Sequence, residues 1–300
     1  MNSKSWVWHE WEIAWNRTGC PDRSGPAIVL IHGFGACKEH WRHNQPVLGN
    51  IGTCYAIDLI GFGHSSKPQA RLKGEKPQSG DFNYRFDSWA SLVFDFCNEI
   101  VQKPVILIGN SIGGVIALRA SQLLKDACCG VVLIDCAQRT MDDKRLGEKP
   151  AWMKLLRPLL KTLVSQRWLS SNLFRNAANP KMIKRILMKA YPSGVNLDQN
   201  LIKLLHIPSQ REGAKEAFRG FINLFDDYLA PELMKDLQTP VDLIWGEKDP
   251  WEPLEEAQRW FTTFRCIRSL EIIPEAGHCP HDEAPDHVNN ILLKLIQQAM

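Results

Sequence analysis

The stretch PVILIGNSIGGVIALRASQLL, residues 104–124, joins a short apolar run to a glycine-rich turn and then to a helical pattern. Its centre is the motif Gly109-Asn110-Ser111-Ile112-Gly113. Between a strand and a helix, a G-x-S-x-G motif holds its serine on a sharp, strained turn that exposes the hydroxyl. The glycines carry no Cβ, so neighbouring backbone can pass close to the turn. The sequence therefore predicts that Ser111 is a nucleophile at the end of a sheet strand.

Short apolar runs and helical patterns alternate on both sides of this motif. Such alternation is typical of a parallel sheet with crossover helices. The predicted strands are 27–31, 53–57, 105–108, 131–134, 241–245 and 270–273, and the predicted helices are 38–48, 86–101, 112–124, 254–261 and 285–300. The tryptophan-rich stretch 6–15 nearly alternates apolar with polar residues and predicts an antiparallel edge, whereas the polar stretch 68–83 predicts a surface loop.

The alternation stops between residues 138 and 232, a length that needs structure of its own. Apolar residues at helical spacing from Trp152 to Val164 predict an amphipathic helix, which Pro158 should kink or divide. We therefore predict an α/β core, residues 1–137 and 233–300, with an inserted helical cap, residues 138–232.

The predicted cap carries 17 Lys and Arg against 9 Asp and Glu, whereas the rest of the chain has 19 against 24. Leu155 and Leu159 are candidates to line a substrate pocket, and the basic charge favours peripheral contact with an anionic membrane surface. In the alternative interpretation, the leucines pack the cap onto the core and the basic residues are simply solvated.

A serine nucleophile needs a histidine base and a carboxylate that orients it. The order expected on an α/β sheet is serine, acid, histidine. Asp249 follows the predicted strand 241–245, and His278 follows the strand 270–273, so both lie where catalytic groups of open sheets gather. Two alternatives stay open, because Asp135 also follows a strand and His281 lies three residues from His278.

His32-Gly33-Phe34-Gly35 directly follows the strand 27–31 and predicts an oxyanion loop. The expected donors to the oxyanion are the backbone N–H groups of Phe34 and Ile112. The loop lacks the lysine of a phosphate-binding P-loop and the third glycine of a dinucleotide fingerprint. Beside the expected triad, Asn110 and Trp251 are further candidates to line the substrate pocket.

Composition excludes several other classes of protein. The chain has 300 residues, 44% of them hydrophobic and 23% charged, which is typical of a folded globular protein. A net charge of +3 is too small to favour nucleic-acid binding. Its nine cysteines show no zinc-ligand spacing, and we expect neither a metal nor an organic cofactor. We also expect no secretory signal, no membrane span and a reducing compartment, the cytoplasm or a stroma-like space.

The sequence resembles the α/β-hydrolase superfamily. The resemblance lies in the oxyanion loop, the stretch Asp58 to Ser65, the serine motif, Asp249 and His278. Gly109 to Gly114, Asp249-Pro250-Trp251 and Gly277 to Pro285 are similar to the pheophytinase group, which has chlorophyll dephytylases as relatives. The resemblance implies a mostly parallel, twisted sheet with helices on both faces and an inserted cap. It also implies hydrolysis of an ester like the one that joins phytol to a chlorin ring.

We therefore expect a serine carboxylic-ester hydrolase that acts on a bulky apolar ester through an acyl-serine intermediate. Dehalogenases and epoxide hydrolases of similar fold use a carboxylate nucleophile, and this chain has Ser111 in that place. A general small-ester or lipid esterase, and another serine-triad enzyme such as a haloperoxidase-like or C–C bond hydrolase, stay open. So does a receptor-like protein that binds a ligand without turnover.

Overall fold

A computed structural model describes residues 3–21 and 24–299, and its centre is an eight-stranded sheet. The strands are β1 Lys4–Trp8, β2 Trp11–Thr18, β3 Ala27–Ile31, β4 Cys54–Ile57, β5 Gln69–Ala70, β6 Asp81–Phe82, β7 Val105–Asn110, β8 Cys128–Ile134, β9 Val241–Gly246 and β10 Ile267–Ile273. The sheet order is β1-β2-β4-β3-β7-β8-β9-β10, and β5 pairs with β6 in a separate ladder. β1 and β2 pair antiparallel, and the ladders from β4 to β10 are parallel. The predicted parallel sheet with an antiparallel edge is confirmed.

Helices cover both faces of this sheet. The α-helices are α1 Gln45–Leu48, α2 Phe86–Phe96, α3 Ile112–Leu124, α4 Ala151–Ser165, α5 Arg167–Ala177, α6 Pro180–Ala190, α7 Gln199–Ser209, α8 Ala214–Ile222, α9 Ala230–Met234, α10 Leu254–Thr263, α11 Pro280–Glu283 and α12 Pro285–Ala299. Val29 and Ile31 of β3 enter the apolar cluster under α2 and α3, whereas Ile28 and Leu30 enter the cluster under α12. Both faces of the strand are buried, which explains its uninterrupted apolar run.

The structure corrects two of the predicted elements. The predicted helix 38–48 is a 3-10 turn, Lys38–Trp41, followed by the four-residue helix α1. Pro46 explains the break, because it has no N–H to bond the carbonyl four residues earlier in a continuous helix and is suited to the first turn of a new one. The predicted division of the helix at Pro158 is wrong, since α4 runs continuously through this exposed proline.

The helical segment, residues 138–232, contains α4 to α9 and joins β8 to β9. Its helix α4 turns its basic side toward the protein. Arg157 is buried, donates to Asp143 and lies 4.4 Å from the ring of Phe225. Lys161 pairs with the same carboxylate. These contacts fix which side of α4 is buried.

The apolar side of α4 therefore faces solvent. Leu155 is 82% exposed and Leu159 is 58% exposed, so the predicted pocket-lining leucines point away from the core. Four further apolar side chains of α4 are exposed with them: Trp152, Leu156, Leu160 and Leu163. In the described ranges, no helix has the length and apolar character needed to cross a bilayer.

Candidate active site

Four titratable or nucleophilic side chains follow the four neighbouring strands β7, β8, β9 and β10. Ser111 comes directly after β7, Asp135 directly after β8, Asp249 three residues after β9 and His278 five residues after β10. Because these strands are parallel neighbours, their carboxyl ends meet at one edge. The fold therefore gathers at this edge the three predicted triad residues and the alternative acid.

Ser111 has a strained backbone, with φ 56° and ψ −122°. A non-glycine residue at positive φ is uncommon and occurs most often at functional sites. The two motif glycines make the turn sterically possible. A Cβ on Gly109 would lie 2.2 Å from the carbonyl oxygen of Gly113, and one on Gly113 would lie 2.4 Å from the carbonyl oxygen of Ile31.

The backbone of this turn is also tied to the loop after β8. The N–H of Ser111 donates to the carbonyl of Ile134 at 3.0 Å, and its carbonyl accepts from the N–H of Ala137 at 3.1 Å. Ile112 is the first residue of α3, so its N–H has no carbonyl partner within the helix. That N–H is available to donate to an oxyanion, the role that the sequence predicts for Ile112.

The ring of His278 is paired with Asp249. Nδ1 of His278 lies 2.7 Å from Oδ2 of Asp249, and Oδ1 of the carboxylate accepts the N–H groups of Trp251 at 2.8 Å and Glu252 at 3.1 Å. Burial alone would raise the pKa of Asp249, but the hydrogen bond and positive charge of His278 lower it below its usual value. Asp249 is therefore ionised and accepts the proton on Nδ1, an arrangement in which Nε2 of His278 carries no proton and is able to accept one.

The loop after β3 reaches the serine turn. A Cβ on Gly33 would lie 3.1 Å from Cβ of Ser111, so this glycine allows the loop to approach the nucleophile. Phe34, the other predicted oxyanion donor, lies in the same loop. His32 has a structural arrangement, since its Nε2 accepts the N–H of Leu59 at 3.0 Å and its Nδ1 lies 2.8 Å from the Gly33 carbonyl oxygen. Burial lowers the pKa of His32, so the ring is neutral.

The other predicted pocket residues have different surroundings. Asn110 is buried, and its Nδ2 donates to the carbonyls of Ile134 at 3.2 Å and His278 at 3.1 Å. Asn110 thus bridges the serine strand to the backbone of the histidine loop. The half-exposed ring of Trp251 lies 4.9 Å from the His278 ring in an edge-to-face contact.

The alternative histidine has no carboxylate partner. His281 is completely buried against Trp41 and His40, and neither of its ring nitrogens has a hydrogen-bond partner in the described part of the chain. Burial lowers its pKa well below the usual value, so the ring is neutral. In this arrangement His281 packs under the site.

Sequence reasoning missed a polar network that holds the histidine loop. Asp282 accepts two hydrogen bonds from Arg42, at 2.8 and 3.1 Å, and one from the hydroxyl of Tyr191 at 3.0 Å. Tyr191 immediately follows α6 and is fully buried. The signal in the sequence is the pair of adjacent carboxylates, Asp282 and Glu283, in the motif after His278.

Glu283 joins the same loop to the helical segment. Its Oε2 accepts the N–H of Gly277 at 2.7 Å, and its Oε1 accepts the hydroxyl and N–H of Ser193 at 2.5 and 2.9 Å. The N–H of His278 itself donates to the carbonyl of Ala190, the last residue of α6, at 3.0 Å. The position of the base therefore depends on where α6 ends.

Several known proteins are similar to this chain in sequence and in fold. The pheophytinase of Arabidopsis thaliana is 24% identical over 94% of this chain, which spans 64% of that protein. A serine hydrolase of carbazole degradation, the CarC enzyme, superposes with a TM-score of 0.76 at 20% identity, over 99% of both chains. A thermophilic esterase from Thermogutta terrifontis gives 0.72 at 20% identity, over 100% of this chain and 99% of that one. The profile of the Alpha/beta hydrolase family matches residues 28–290, and the chain belongs to this family.

Proposed function

We propose that the protein is a serine hydrolase of carboxylic esters. The observation that carries this proposal is the strained turn at Ser111, which shares a sheet edge with the hydrogen-bonded pair of His278 and Asp249. A serine, an ionised acid and a histidine base, in this order along the chain, constitute the machinery of acyl transfer. The similarity to a pheophytinase and to an esterase supports the same class of reaction.

In this mechanism, Oγ of Ser111 attacks the ester carbonyl carbon while Nε2 of His278 takes the serine proton. The N–H groups of Phe34 and Ile112 stabilise the oxyanion, and the protonated His278 returns its proton to the leaving alcohol. Water then attacks the acyl-serine with His278 as base, which releases the acid and restores the free serine. Asp249 stays ionised throughout and stabilises the imidazolium.

An aromatic surface beside the oxyanion loop supports a bulky apolar substrate. The ring of Phe34 stacks on Phe221 of α8 at 3.9 Å, and Phe218 of the same helix lies 5.5 Å from Phe174 of α5. These side chains are only partly buried, so they form an apolar surface that continues from the oxyanion loop to α8 and α5. Pocket walls of this kind suit a large hydrophobic ester group. The phytyl ester of a chlorophyll-type pigment is the specific candidate, supported by the similarity to a pheophytinase.

In this proposal, residues 138–232 form a cap over a core of residues 1–137 and 233–300. The contact of Phe34 with α8 and the bond from His278 to the end of α6 support it, because both join the helical segment to the site. All nine cysteines are free thiols. Free thiols support a reducing compartment such as the cytoplasm.

A panel of esters tests the proposed activity. We expect purified protein to hydrolyse p-nitrophenyl esters, with kcat/KM rising as the acyl chain lengthens, and to release phytol from pheophytin or chlorophyll. A preference for acetyl esters together with no release of phytol would favour a small-ester esterase. Absence of turnover on the whole panel, with retention of a ligand, would favour a receptor-like protein.

The outward apolar side of α4 supports peripheral contact with an anionic membrane. Exposed apolar faces of this extent on a monomer mark binding surfaces. Exposed basic residues in the same helical segment provide charge complementarity: Lys154, Lys181, Lys184, Arg185 and Lys189. An amphipathic surface with basic flanks suits the interface of an anionic bilayer. A substrate with a long apolar alcohol would be taken from the same surface.

Vesicle sedimentation tests this contact. We expect the protein to sediment with anionic vesicles at low salt, less at high salt, and not with neutral vesicles. The double variant Leu155→Glu, Leu159→Glu should stay in the supernatant. The control Val7→Glu changes an apolar residue that is 66% exposed on β1 and should sediment like wild type. Self-association that the double variant abolishes, without vesicle binding, would instead assign the face to a second copy.

A further inference from the structure

Asp135 is a buried carboxyl group with an unusual set of neighbours. It is 0% exposed, its Oδ1 accepts the N–H of Gly246 at 3.0 Å, and its Oδ2 faces no hydrogen-bond donor in the described ranges. The carbonyl of the same Gly246 accepts the N–H of Asp249 at 3.2 Å, so this glycine holds the two acids side by side, with their carboxyl groups within hydrogen-bonding reach. The backbone of Asp135 is held at φ 43°, so the fold maintains this placement against strain.

Two buried carboxyl groups that lie within hydrogen-bonding reach of each other cannot both be ionised. Asp249 is the ionised partner, because it accepts two backbone N–H groups and the His278 ring. Asp135 receives one backbone N–H, and no basic side chain forms an ion pair with it in the described part of the chain. A single proton between the two groups resolves the repulsion, as in other carboxyl pairs that share a site.

We propose that Asp135 is a neutral carboxylic acid that donates a hydrogen bond to Asp249 and thereby acts as a positioning residue for the triad. This inference rests on the proposed function of Ser111, Asp249 and His278. The proton on Asp135 supplies the Asp249 carboxylate with one more hydrogen bond, in addition to those from Trp251 and His278.

The charged and titratable surroundings agree with a neutral Asp135. Burial, followed by the charge of Asp249, raises its pKa well above the usual range. The other titratable groups that face it are Glu252, Cys136 and Cys279. Burial raises the pKa of Glu252 to about 7 and that of each thiol well above its usual value. None of these neighbours supplies a positive charge that would ionise Asp135.

The donated hydrogen bond should affect His278 through Asp249. A donor on a carboxylate disperses its charge and weakens its attraction for the imidazolium. Removal of this donor should keep His278 protonated to a higher pH and should leave the Asp249 carboxylate less firmly oriented. A merely structural role for Asp135 would change protein stability without moving the pH profile.

The variants Asp135→Asn and Asp135→Ala separate these roles. The amide of Asn keeps a donor for Asp249 and an acceptor for Gly246, so Asp135→Asn should keep kcat/KM and its pH profile close to wild type. Asp135→Ala should lower kcat/KM by roughly 10- to 100-fold, the loss expected for a hydrogen bond to a charged group. The acidic limb of its profile should move up by about one pH unit. Asp249→Asn, the matched control, should lose about 10⁴-fold.

Two outcomes would overturn the proposal. If Asp135→Asn loses as much activity as Asp249→Asn, Asp135 is an ionised acid. If the profile of Asp135→Ala does not move, its role is structural only. Two further measurements require no turnover. An infrared band of a protonated carboxyl group near neutral pH should vanish in Asp135→Asn, and NMR titration of the His278 ring should show the same displacement with Asp135→Ala. Absence of esterase activity alone would refute the proposed function and leave these tests valid.

Discussion

The Ser111→Ala variant should lose roughly 10⁴- to 10⁶-fold in ester turnover, because the members of a serine triad act as one unit. Only substrate binding and the oxyanion donors would stay in the variant. Its stability should be close to wild type or slightly higher, since the strained turn at φ 56° tolerates a small side chain no worse than serine. Turnover of p-nitrophenyl esters and thermal unfolding measure the two effects.

Ser121 offers a matched control for this variant. It is also buried in α3, where its hydroxyl donates to the carbonyl of Leu118 at 2.8 Å, far from any role in acyl transfer. Ser121→Ala should therefore keep its turnover and its labelling by a fluorophosphonate probe, whereas Ser111→Ala should lose both. Equal activity of the two variants would remove Ser111 from the mechanism. Failure of the folded wild type to react with the probe would favour a receptor-like protein.

Gly113→Ala should both disrupt the serine turn and destabilise the folded protein. The added Cβ would lie 2.4 Å from the carbonyl oxygen of Ile31 and 2.7 Å from that of His32, and both contacts are with backbone. α3 would have to move off β3, at a cost of about 3 kcal/mol in the free energy of unfolding. The same movement should displace Ser111 and the N–H of Ile112. Urea unfolding and probe labelling report the two consequences.

Gly130→Ala is the corresponding control in the neighbouring strand β8. Its added Cβ would meet its nearest neighbour, the carbonyl oxygen of Pro240, at 3.8 Å, an ordinary van der Waals distance. This variant should unfold near wild-type urea concentrations and keep full labelling. If Gly113→Ala and Gly130→Ala behave alike, close backbone approach is not the reason for the second glycine of the motif.

The parallel sheet could be predicted because local patterns determine it. Runs such as 27–31 and 241–245 are buried on both faces, so their lengths and compositions alone identify them as strands. The break before α1 has a local signal in Pro46, but the helical spacing of residues 38–48 outweighed it in the prediction. The orientation of α4 could not be predicted at all. Helical periodicity defines an apolar and a basic side of α4 but does not show which one faces the protein. Here the basic side faces it, because its basic residues form ion pairs with Asp143.

The candidate triad followed from chain order and from the positions of residues after strands. Chain order favours Asp249, whose loop is nearer in sequence to the strand before His278, but it leaves Asp135 open, because both acids follow strands at the same sheet edge. Only the three-dimensional placement pairs one of them with the ring of His278. The supports of the histidine loop at Tyr191 and Ser193 lie more than 80 residues from it in sequence, so no local pattern reveals them.

The hydrogen bond that His278 donates to Ala190 and the one that Ser193 donates to Glu283 join the end of α6 to the histidine loop, so these two segments must be exchanged together. Chimeras that exchange helical segments between family members are a common way to transfer substrate preference. In this protein, a crossover between α6 and Ser193 would separate the base from its own scaffold. A working graft must keep residues 190–193 from the same parent as residues 277–283, whatever the origin of α4, α5 and α8.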